Sequence, residues 1–257
     1  MNRRACLTLL LLGICQSFVR ADDQSAGQPA PLKVLFIGNS YTYVNDLPGL
    51  LSGLAEAAGG RRIETAQHTP GGCSFQRHVA DGKALEWIGR AKWDVVVLQE
   101  HSMGALTNPD GMQKFGRTLC EAAQKQGAKT VYYLTWARQN TPEKQDAISK
   151  AYVDLADATH ATAAPVGMAW KEALSEDSNR VLHAADKSHP APAGSYLAAC
   201  VFYATLLGKS PEGLPAEIRR GDKALVKLDP TEARQLQAVA WRVVQRSEKQ
   251  QAATPAK

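Results

Sequence analysis

The segment KVLFIGNSYT, Lys33 to Thr42, decides the fold of this chain. It begins as a short, mostly apolar strand, and Gly38-Asn39 marks a turn directly after it. Asn45 or Asp46 is then the predicted N-cap of a helix whose leucines recur at helical spacing. A strand, a tight turn, an exposed serine and a helix are the parts with which an α/β sheet presents a nucleophile at its carboxyl edge. Ser40 is therefore a candidate nucleophile, although Gly-Asn-Ser is also an ordinary turn sequence.

A second polar motif, Asp186-Lys187-Ser188-His189-Pro190, lies far along the chain. An aspartate three residues before a histidine can share a turn with it, so that the carboxylate orients the imidazole while the other ring nitrogen faces outward. A strongly apolar helix is predicted directly afterwards, from about Pro192 to Leu207. His189 and Asp186 are therefore the candidate base and its orienting group.

Together, Gly38-Asn39-Ser40 and the Asp-x-x-His motif resemble the SGNH (GDSL-like) hydrolase family over roughly Leu32 to Gly208. In that family the serine of an N-terminal Gly-Asp-Ser block and a C-terminal Asp-x-x-His form a triad. Asn39 stands here in place of the usual Asp, at a position that supports the loop and is not a triad member. The resemblance implies a flavodoxin-like fold, an ester hydrolase with Ser40, His189 and Asp186 as its triad, and no metal or organic cofactor.

The resemblance also implies an oxyanion hole made of the Ser40 N–H, a glycine N–H and a side-chain amide. The glycine block looks like Pro70-Gly71-Gly72-Cys73-Ser74, in which Gly72 is preferred over Gly71 because Gly72-Cys73-Ser74 matches a spacing seen in the family. A plain Gly-Gly turn is the alternative interpretation.

The side-chain donor is expected after the apolar run that ends at Leu98, where the family has Gly-x-Asn-Asp and this chain has Gln99-Glu100-His101-Ser102. By the resemblance, Gln99 is the expected amide donor. Glu100 is the expected partner that orients Gln99 or the neighbouring backbone. His101 competes with His189 for the role of general base, since it also follows a strand, but His189 is preferred because it has a nearby Asp.

Strand and helix patterns alternate along most of the chain. Predicted strands at 62–66, 93–98, 130–135 and 164–166 are separated by helical patterns, two of which begin at Asn108-Pro109 and Thr141-Pro142. Repeated units of this length predict one α/β domain at residues 32–208, a three-layer α/β/α sandwich with a central parallel sheet. Residues 209–257 are predicted to form a loop or small hairpin, a helix packed on the domain and a disordered tail from Glu248.

The N-terminus has the pattern of an export signal. Arg3-Arg4 precede the apolar run Leu7–Ile14, and Val19-Arg20-Ala21 suits a cleavage site, so residues 1–21 are predicted to be a signal peptide and the protein to be secreted or periplasmic. The run is too short to span a bilayer. Cys15 raises a lipoprotein alternative, which Ile14 before it does not favour. Residues 22–31, rich in Gln, Ala, Gly and Pro, are predicted to be a tether.

Charge and cysteine content narrow the classes of partner and cofactor. Removal of residues 1–21 takes away three arginines and no acids, so the formal charge falls from +5 to +2, and no basic cluster with interleaved aromatics indicates a nucleic-acid partner. Cys73, Cys120 and Cys200 remain, an odd number that allows at most one internal disulfide, and buried thiols are the default expectation. No Cys/His spacing indicates a metal.

The predicted function is a secreted serine esterase, with a carbohydrate O-acetyl ester on a small molecule or a polysaccharide as the favoured substrate. A lipase or thioesterase of the same fold and a non-catalytic glycan-binding protein are the alternatives. Tyr133, Trp136 and Arg138 lie at or just beyond the end of a predicted strand, where an aromatic platform would suit a sugar face. Burial of these aromatics under the next helix is the competing interpretation.

Overall fold

The structure is a computed structural model that describes residues 29–253. The predicted signal peptide and most of the predicted tether lie outside the described residues. No helix within the described range is both long and apolar enough to cross a bilayer.

Seven strands form two separate sheets. The strands are β1 (Leu32–Ile37), β2 (Ile63–His68), β3 (Val95–Leu98), β4 (Lys129–Tyr133), β5 (Thr162–Ala164), β6 (Glu217–Arg220) and β7 (Lys223–Lys227). The first five pair in parallel in the order β2-β1-β3-β4-β5, and β6 and β7 form an antiparallel hairpin. This strand order is that of the flavodoxin-like doubly wound fold, as predicted.

Helices cover both faces of the five-stranded sheet. They are α1 (Ser40–Tyr43), α2 (Leu47–Ala57), α3 (Phe75–Ala80), α4 (Lys83–Gly89), α5 (Gly104–Thr107), α6 (Pro109–Lys125), α7 (Gln145–Ala158), α8 (Val166–Glu176), α9 (Pro192–Leu207) and α10 (Pro230–Ala253). Alternate residues of β1 enter opposite cores: Val34 and Phe36 pack with α2, α8, α9 and α10, whereas Leu35 and Ile37 pack with α4, α6 and α7. Burial of β1 on both faces explains its apolar run from Val34 to Ile37. The three-layer α/β/α sandwich predicted from the sequence is confirmed.

The strand register brings the polar segments together at one edge of the sheet. Ile37 at the end of β1 pairs with Leu98 at the end of β3, and Leu98 pairs with Tyr132 near the end of β4. The segments that follow these strands therefore begin at the same edge of the sheet, where open α/β sheets have their binding sites. These segments include Ser40, Gln99 and Arg138.

Several elements differ from the sequence expectations. Helices α1, α3, α5 and α8 were not predicted, and Val166, assigned to a short strand, instead begins α8 after Pro165. The prediction of disorder from Glu248 is wrong for Glu248–Ala253, which continue α10. Arg242 and Arg246 of that helix pair with Glu172 of α8, a long-range contact that local hydrophobic periodicity does not show.

Candidate active site

Ser40 begins α1 at the end of the turn that follows β1. The turn is capped by Asn39, whose Oδ1 accepts a hydrogen bond from the Tyr41 N–H at 3.1 Å. The Ser40 Oγ lies 2.8 Å from Nε2 of His189. On the other side of the imidazole, Nδ1 is hydrogen-bonded to Oδ2 of Asp186. The structure thus brings together the three residues predicted for the triad.

Asp186 sits in a tight turn that points its carboxylate at His189. Its Oδ1 accepts from the N–H groups of Ser188 at 3.0 Å and His189 at 2.9 Å, and Lys187 between them has a positive φ of 62°. The hydrogen bond from His189 and these two backbone donors lower the pKa of Asp186 to about 2. A charged Asp186 favours the proton on Nδ1 of His189, which leaves Nε2 free to accept the Ser40 proton.

An aromatic stack holds the loop that carries His189. Tyr41, Trp136 and Trp170 are stacked in series, with ring centroids 4.6 Å and 3.9 Å apart. The Tyr41 hydroxyl is 2.7 Å from Ser188 Oγ, and the Trp136 Nε1–H donates to the Ser188 carbonyl at 3.0 Å. The residue next to the candidate nucleophile therefore also positions the candidate base.

This stack corrects the predicted sugar platform. The side chains of Tyr133 and Trp136 are 0% and 1% exposed, so neither offers a face to a ligand. Trp136 is covered because the chain beyond β4 runs beneath the His189 loop and packs against Trp170 of α8. Of the three predicted groove residues, Arg138 alone is partly exposed.

The structure also places Gln99 differently from the expectation of an oxyanion donor. Its side chain is 0% exposed and lies under the nucleophile turn. Its Oε1 accepts from the Asn39 N–H at 2.9 Å and from the Thr42 hydroxyl at 3.0 Å, while Nε2 donates to Asn39 Oδ1 and to the Glu100 carbonyl. Both amide hydrogens are therefore occupied.

Gln99 and Asn39 together fix the turn before Ser40. Asn39 uses its own Nδ2 to donate to the Cys73 carbonyl at 2.8 Å, which ties the turn to the glycine block. A Cβ on Gly38 would lie 2.7 Å from Gln99 Oε1, so glycine is required there for the close approach. The amide at position 99 supports the candidate nucleophile from below and does not reach the open cleft.

We expect Gln99→Ala to destabilise the fold by about 2–4 kcal/mol, because it leaves buried donors on Asn39 and Thr42 without acceptors. Thermal and urea unfolding would measure this loss. The matched control is Gln113→Ala, since Gln113 makes one part-buried hydrogen bond to the Ala151 carbonyl, and its loss should cost about 1 kcal/mol or less. A Gln99→Ala protein with unchanged stability and a kcat lowered a hundredfold would restore the oxyanion role.

Two backbone N–H groups are available beside Ser40. Neither the Ser40 N–H nor the Gly72 N–H donates to another group within residues 29–253. Gly72 adopts a positive φ of 63°, which suits glycine, and Cys73 after it receives the Asn39 hydrogen bond. These are the two backbone donors that the sequence predicted for the oxyanion hole.

His101 lines a cavity of about 300 Å³ together with Gly72 and Glu100. Its Nδ1 accepts from the Met103 N–H at 3.3 Å, so in the neutral ring Nε2 carries the proton. Burial, and then the charge of Arg138, lower the pKa of His101 and favour this neutral form. His101 is thus an N–H donor in the wall of the cavity, and His189 is the histidine that contacts Ser40.

Glu100 closes the back of the same cavity. It is 3% exposed, and its two carboxyl oxygens accept from the N–H groups of Phe75 at 3.0 Å and His101 at 2.6 Å. Glu100 therefore orients neighbouring backbone, one of the two roles expected for it, and joins the glycine block to the His101 loop. Burial raises its pKa to about 7, against the effect of these two hydrogen bonds.

Glu100 is expected to make stability depend on pH. A carboxyl group whose pKa is 4.5 when unfolded and about 7 when folded stabilises the fold fully below pH 4.5, and this contribution is lost as pH rises to 7. The free energy of unfolding of Glu100→Gln should therefore fall less than that of the wild type between pH 4.5 and 7, by urea titration at each pH. Glu121→Gln, an exposed site on α6, is the control. Parallel pH profiles for Glu100→Gln and the wild type would contradict the expectation.

Sequence reasoning missed Tyr43 as a cleft residue. Its ring is 44% exposed, and a Cβ on Gly71 would lie 3.5 Å from its hydroxyl, so Tyr43 lies against the glycine block. The available indication was its position three residues after Ser40, which places both on one side of a helical turn.

The three cysteines of the described chain are free thiols. Cys73, Cys120 and Cys200 are buried and unpaired, and burial raises the pKa of Cys73, beside Gly72, to about 11. Within residues 29–253, no group of His, Cys, Asp and Glu side chains is arranged to hold a metal ion.

Comparison with known proteins gives matches among solved structures. No family model matches the chain, and no curated protein matches it in sequence. A DUF4886 family protein from Bacteroides uniformis covers 84% of this chain and 95% of its own length, with 20% identity and a TM-score of 0.70. The acetyl xylan esterase AlAXEase covers 67% of this chain and 98% of its own length, with 18% identity and a TM-score of 0.58. These two matches show the fold.

A third match is closer in sequence. A protein from Slackia heliotrinireducens, described as an SGNH hydrolase, is 30% identical to this chain. The match covers 99% of that protein and 68% of this chain, with a TM-score of 0.57. The chain therefore belongs to the SGNH (GDSL-like) hydrolase superfamily.

Proposed function

We propose that the protein is a serine esterase that hydrolyses carbohydrate O-acetyl esters through an acyl-enzyme on Ser40. The observation that carries this proposal is the contact of 2.8 Å between Ser40 Oγ and His189 Nε2, with Asp186 on the opposite nitrogen. A hydroxyl, a base within hydrogen-bond reach and a carboxylate that orients the base are the parts that activate a serine. Membership of a hydrolase superfamily supports the same chemistry.

The proposed reaction has two half-reactions with His189 in both. Ser40 Oγ attacks the ester carbonyl carbon as its proton passes to Nε2 of His189, and the tetrahedral intermediate collapses when His189 gives that proton to the leaving sugar oxygen. A water molecule then attacks the carbonyl carbon of the acetyl group on Ser40 while His189 takes a proton from it. The bond between the acetyl group and Ser40 Oγ breaks as His189 returns that proton to Oγ. Asp186 stabilises the imidazolium that forms each time, and acetate is released.

We assign the oxyanion to three donors. Two are the unoccupied N–H groups of Ser40 and Gly72, which were expected. The third is the Nε2–H of His101, which takes the place that the sequence interpretation gave to Gln99. His101 lines the same cavity as Gly72, and its tautomer is set by the Met103 N–H.

A carbohydrate ester is favoured over a long acyl ester because the cavity beside Gly72 is lined mainly by polar residues. They include Ser74, Gln76 and Asn108 besides Glu100 and His101. The exposed ring of Tyr43 at the rim suits contact with a sugar face. AlAXEase, which has the same fold, is named for activity on acetyl xylan.

Export remains part of the proposal, on the strength of residues 1–21. If these residues are a cleaved signal peptide, the protein from its native host should begin at Asp22 or nearby. N-terminal sequencing or intact-mass measurement tests this, and a chain that still begins at Met1 would contradict it.

Covalent labelling tests the esterase proposal. A fluorophosphonate should modify Ser40 in the native protein, as located by peptide mass spectrometry, and Ser40→Ala should abolish the label. Ser178→Ala, which changes an exposed serine, is the matched control, and this variant should still be labelled at Ser40. A folded protein without any label would favour the glycan-binding alternative.

A series of p-nitrophenyl esters tests the acyl group. The value of kcat/KM should be highest for acetate and should fall as the acyl chain lengthens, since the cavity beside Gly72 is polar. Higher activity on octanoate than on acetate would instead favour a lipase or thioesterase.

A further inference from the structure

Arg138 is a cation at the edge of the cleft whose structural partners are neutral. It is partly buried, and it follows β4 at the same sheet edge as Ser40. Its Nη2 donates to the Ser102 hydroxyl at 3.2 Å, while its Nε is buried without any partner. None of the ion pairs within residues 29–253 includes Arg138.

The guanidinium lies beside the loop that follows β3. It is hydrogen-bonded to Ser102, the residue after His101, and Arg138 lines a second cavity of about 250 Å³ with Trp136 and His183. Burial raises the pKa of Tyr41, and contacts with Ser188, Ser102 and Arg138 oppose that rise. Burial and the charge of Arg138 lower the pKa of His101. Tyr41 follows Ser40 directly, and its ring lies 5.6 Å from the His189 ring.

The backbone that carries Arg138 is held rigidly. Trp136 is clamped in the aromatic stack, and the Ala137 N–H donates to Gln145 Oε1 at 2.7 Å. A fixed guanidinium keeps its donors in a planar fork that matches a carboxylate, and less conformational freedom is lost when the carboxylate binds. Partial burial of a charge without a counter-ion is unfavourable, so an incoming anion would gain from pairing with it.

We propose that Arg138 binds a carboxylate on the alcohol part of the substrate, so that the enzyme acts on O-acetyl esters of acidic sugars such as uronic acids. This inference rests on the proposed esterase function, because an acetyl group carries no charge and the anion must then belong to the sugar. A single arginine fits one carboxylate of a sugar acid, because Lys171, which lines the same cavity of about 250 Å³, is already paired with Asp146.

The selectivity of Arg138 variants tests this inference. The substrates are partially acetylated methyl glucuronoside and the equally acetylated methyl glucoside, with acetate release as the readout. Arg138→Gln should lower kcat/KM for the glucuronoside roughly tenfold to a hundredfold more than for the glucoside, the range of one charge-assisted hydrogen-bond pair. Added salt should reduce the wild-type preference, as expected for a partly exposed ion pair.

Two further variants separate charge recognition from damage to the loop. Arg138→Lys keeps the charge and should retain part of the preference, because lysine binds as a point charge without the fork. Arg117→Gln removes an exposed arginine of α6 that donates to the Ala158 carbonyl, and it should leave kcat/KM unchanged for both substrates. Equal losses on both substrates in Arg138→Gln, or no loss on either, would overturn the inference.

A binding measurement distinguishes failure of this inference from failure of the esterase proposal. Calorimetry on Ser40→Ala protein measures binding without turnover. Methyl glucuronoside should bind at least tenfold more tightly than methyl glucoside, and adding Arg138→Gln should remove this difference. If this dependence holds while neither acetylated sugar is cleaved by the wild type, the carboxylate site stands and the esterase proposal fails. If both acetates are cleaved but the binding does not depend on Arg138, the esterase proposal stands and this inference fails.

Discussion

Replacing Ser40 or His189 with alanine is expected to lower kcat for p-nitrophenyl acetate by at least about a thousandfold. Ser40→Ala removes the attacking oxygen, and His189→Ala removes the only side chain hydrogen-bonded to that oxygen in the described chain. The double variant should be little worse than either single variant, because triad residues act as one unit. Steady-state kinetics on purified protein, with active-site titration to exclude traces of wild type, provides the measurement.

The control for the triad experiment is His183, a buried histidine outside the triad. His183 Nε2–H donates to the Ala137 carbonyl at 3.0 Å, and His183→Gln should affect stability more than kcat. Thermal unfolding of Ser40→Ala should match the wild type closely, since the change removes one part-buried hydroxyl. Additive losses in the double variant would show that Ser40 and His189 do not act in the same step.

His101→Ala is expected to lower kcat by about a hundredfold to a thousandfold, the usual cost of one oxyanion donor. KM should change little, because the donor acts on charge that develops after substrate binding. His101→Gln should recover much of the loss, since an amide can also donate from that wall of the cavity. Kinetics on acetate esters, compared across the two variants, measures this recovery.

The pH profile distinguishes a donor from a base. If His101 is a neutral donor, the acid limb of kcat/KM should keep its midpoint in His101→Gln, because the proposed base is unchanged in this variant. Disappearance of the acid limb in that variant, or a larger loss in His101→Ala than in His189→Ala, would transfer the role of base to His101.

Much of the fold could be predicted because it follows from local patterns. The mostly apolar β1 and fully apolar β3, the Pro-containing helix starts and the glycine at the end of α9 all lie in the printed sequence. The strand order followed from the family resemblance. Helix α8 was missed because its buried positions, Ala169, Trp170 and Ala173, are mostly small and give a weak apolar stripe.

The residues of the candidate site could be predicted more fully than the directions in which their side chains point. Ser40, Asp186 and His189 meet as expected, because short motifs carry their local geometry. Gln99 and Trp136 also sit at the expected edge of the sheet, but their side chains turn inward. Whether a side chain at a strand end faces the cleft or the packed layer depends on partners distant in sequence, here Asn39 for Gln99 and Trp170 for Trp136.

The hydrogen bond between Ser40 and His189 joins residues 149 positions apart. Contacts of such sequence separation form late in folding, because closing a long loop costs chain entropy before any contact is gained. The aromatic stack requires α8 to dock as well, since Trp170 is its outer member. During refolding, helical signal should therefore return before esterase activity, and a chain emerging from the ribosome would stay inactive until α9 had been made. If the protein is exported as proposed, its activity would be withheld inside the cell until the chain has folded.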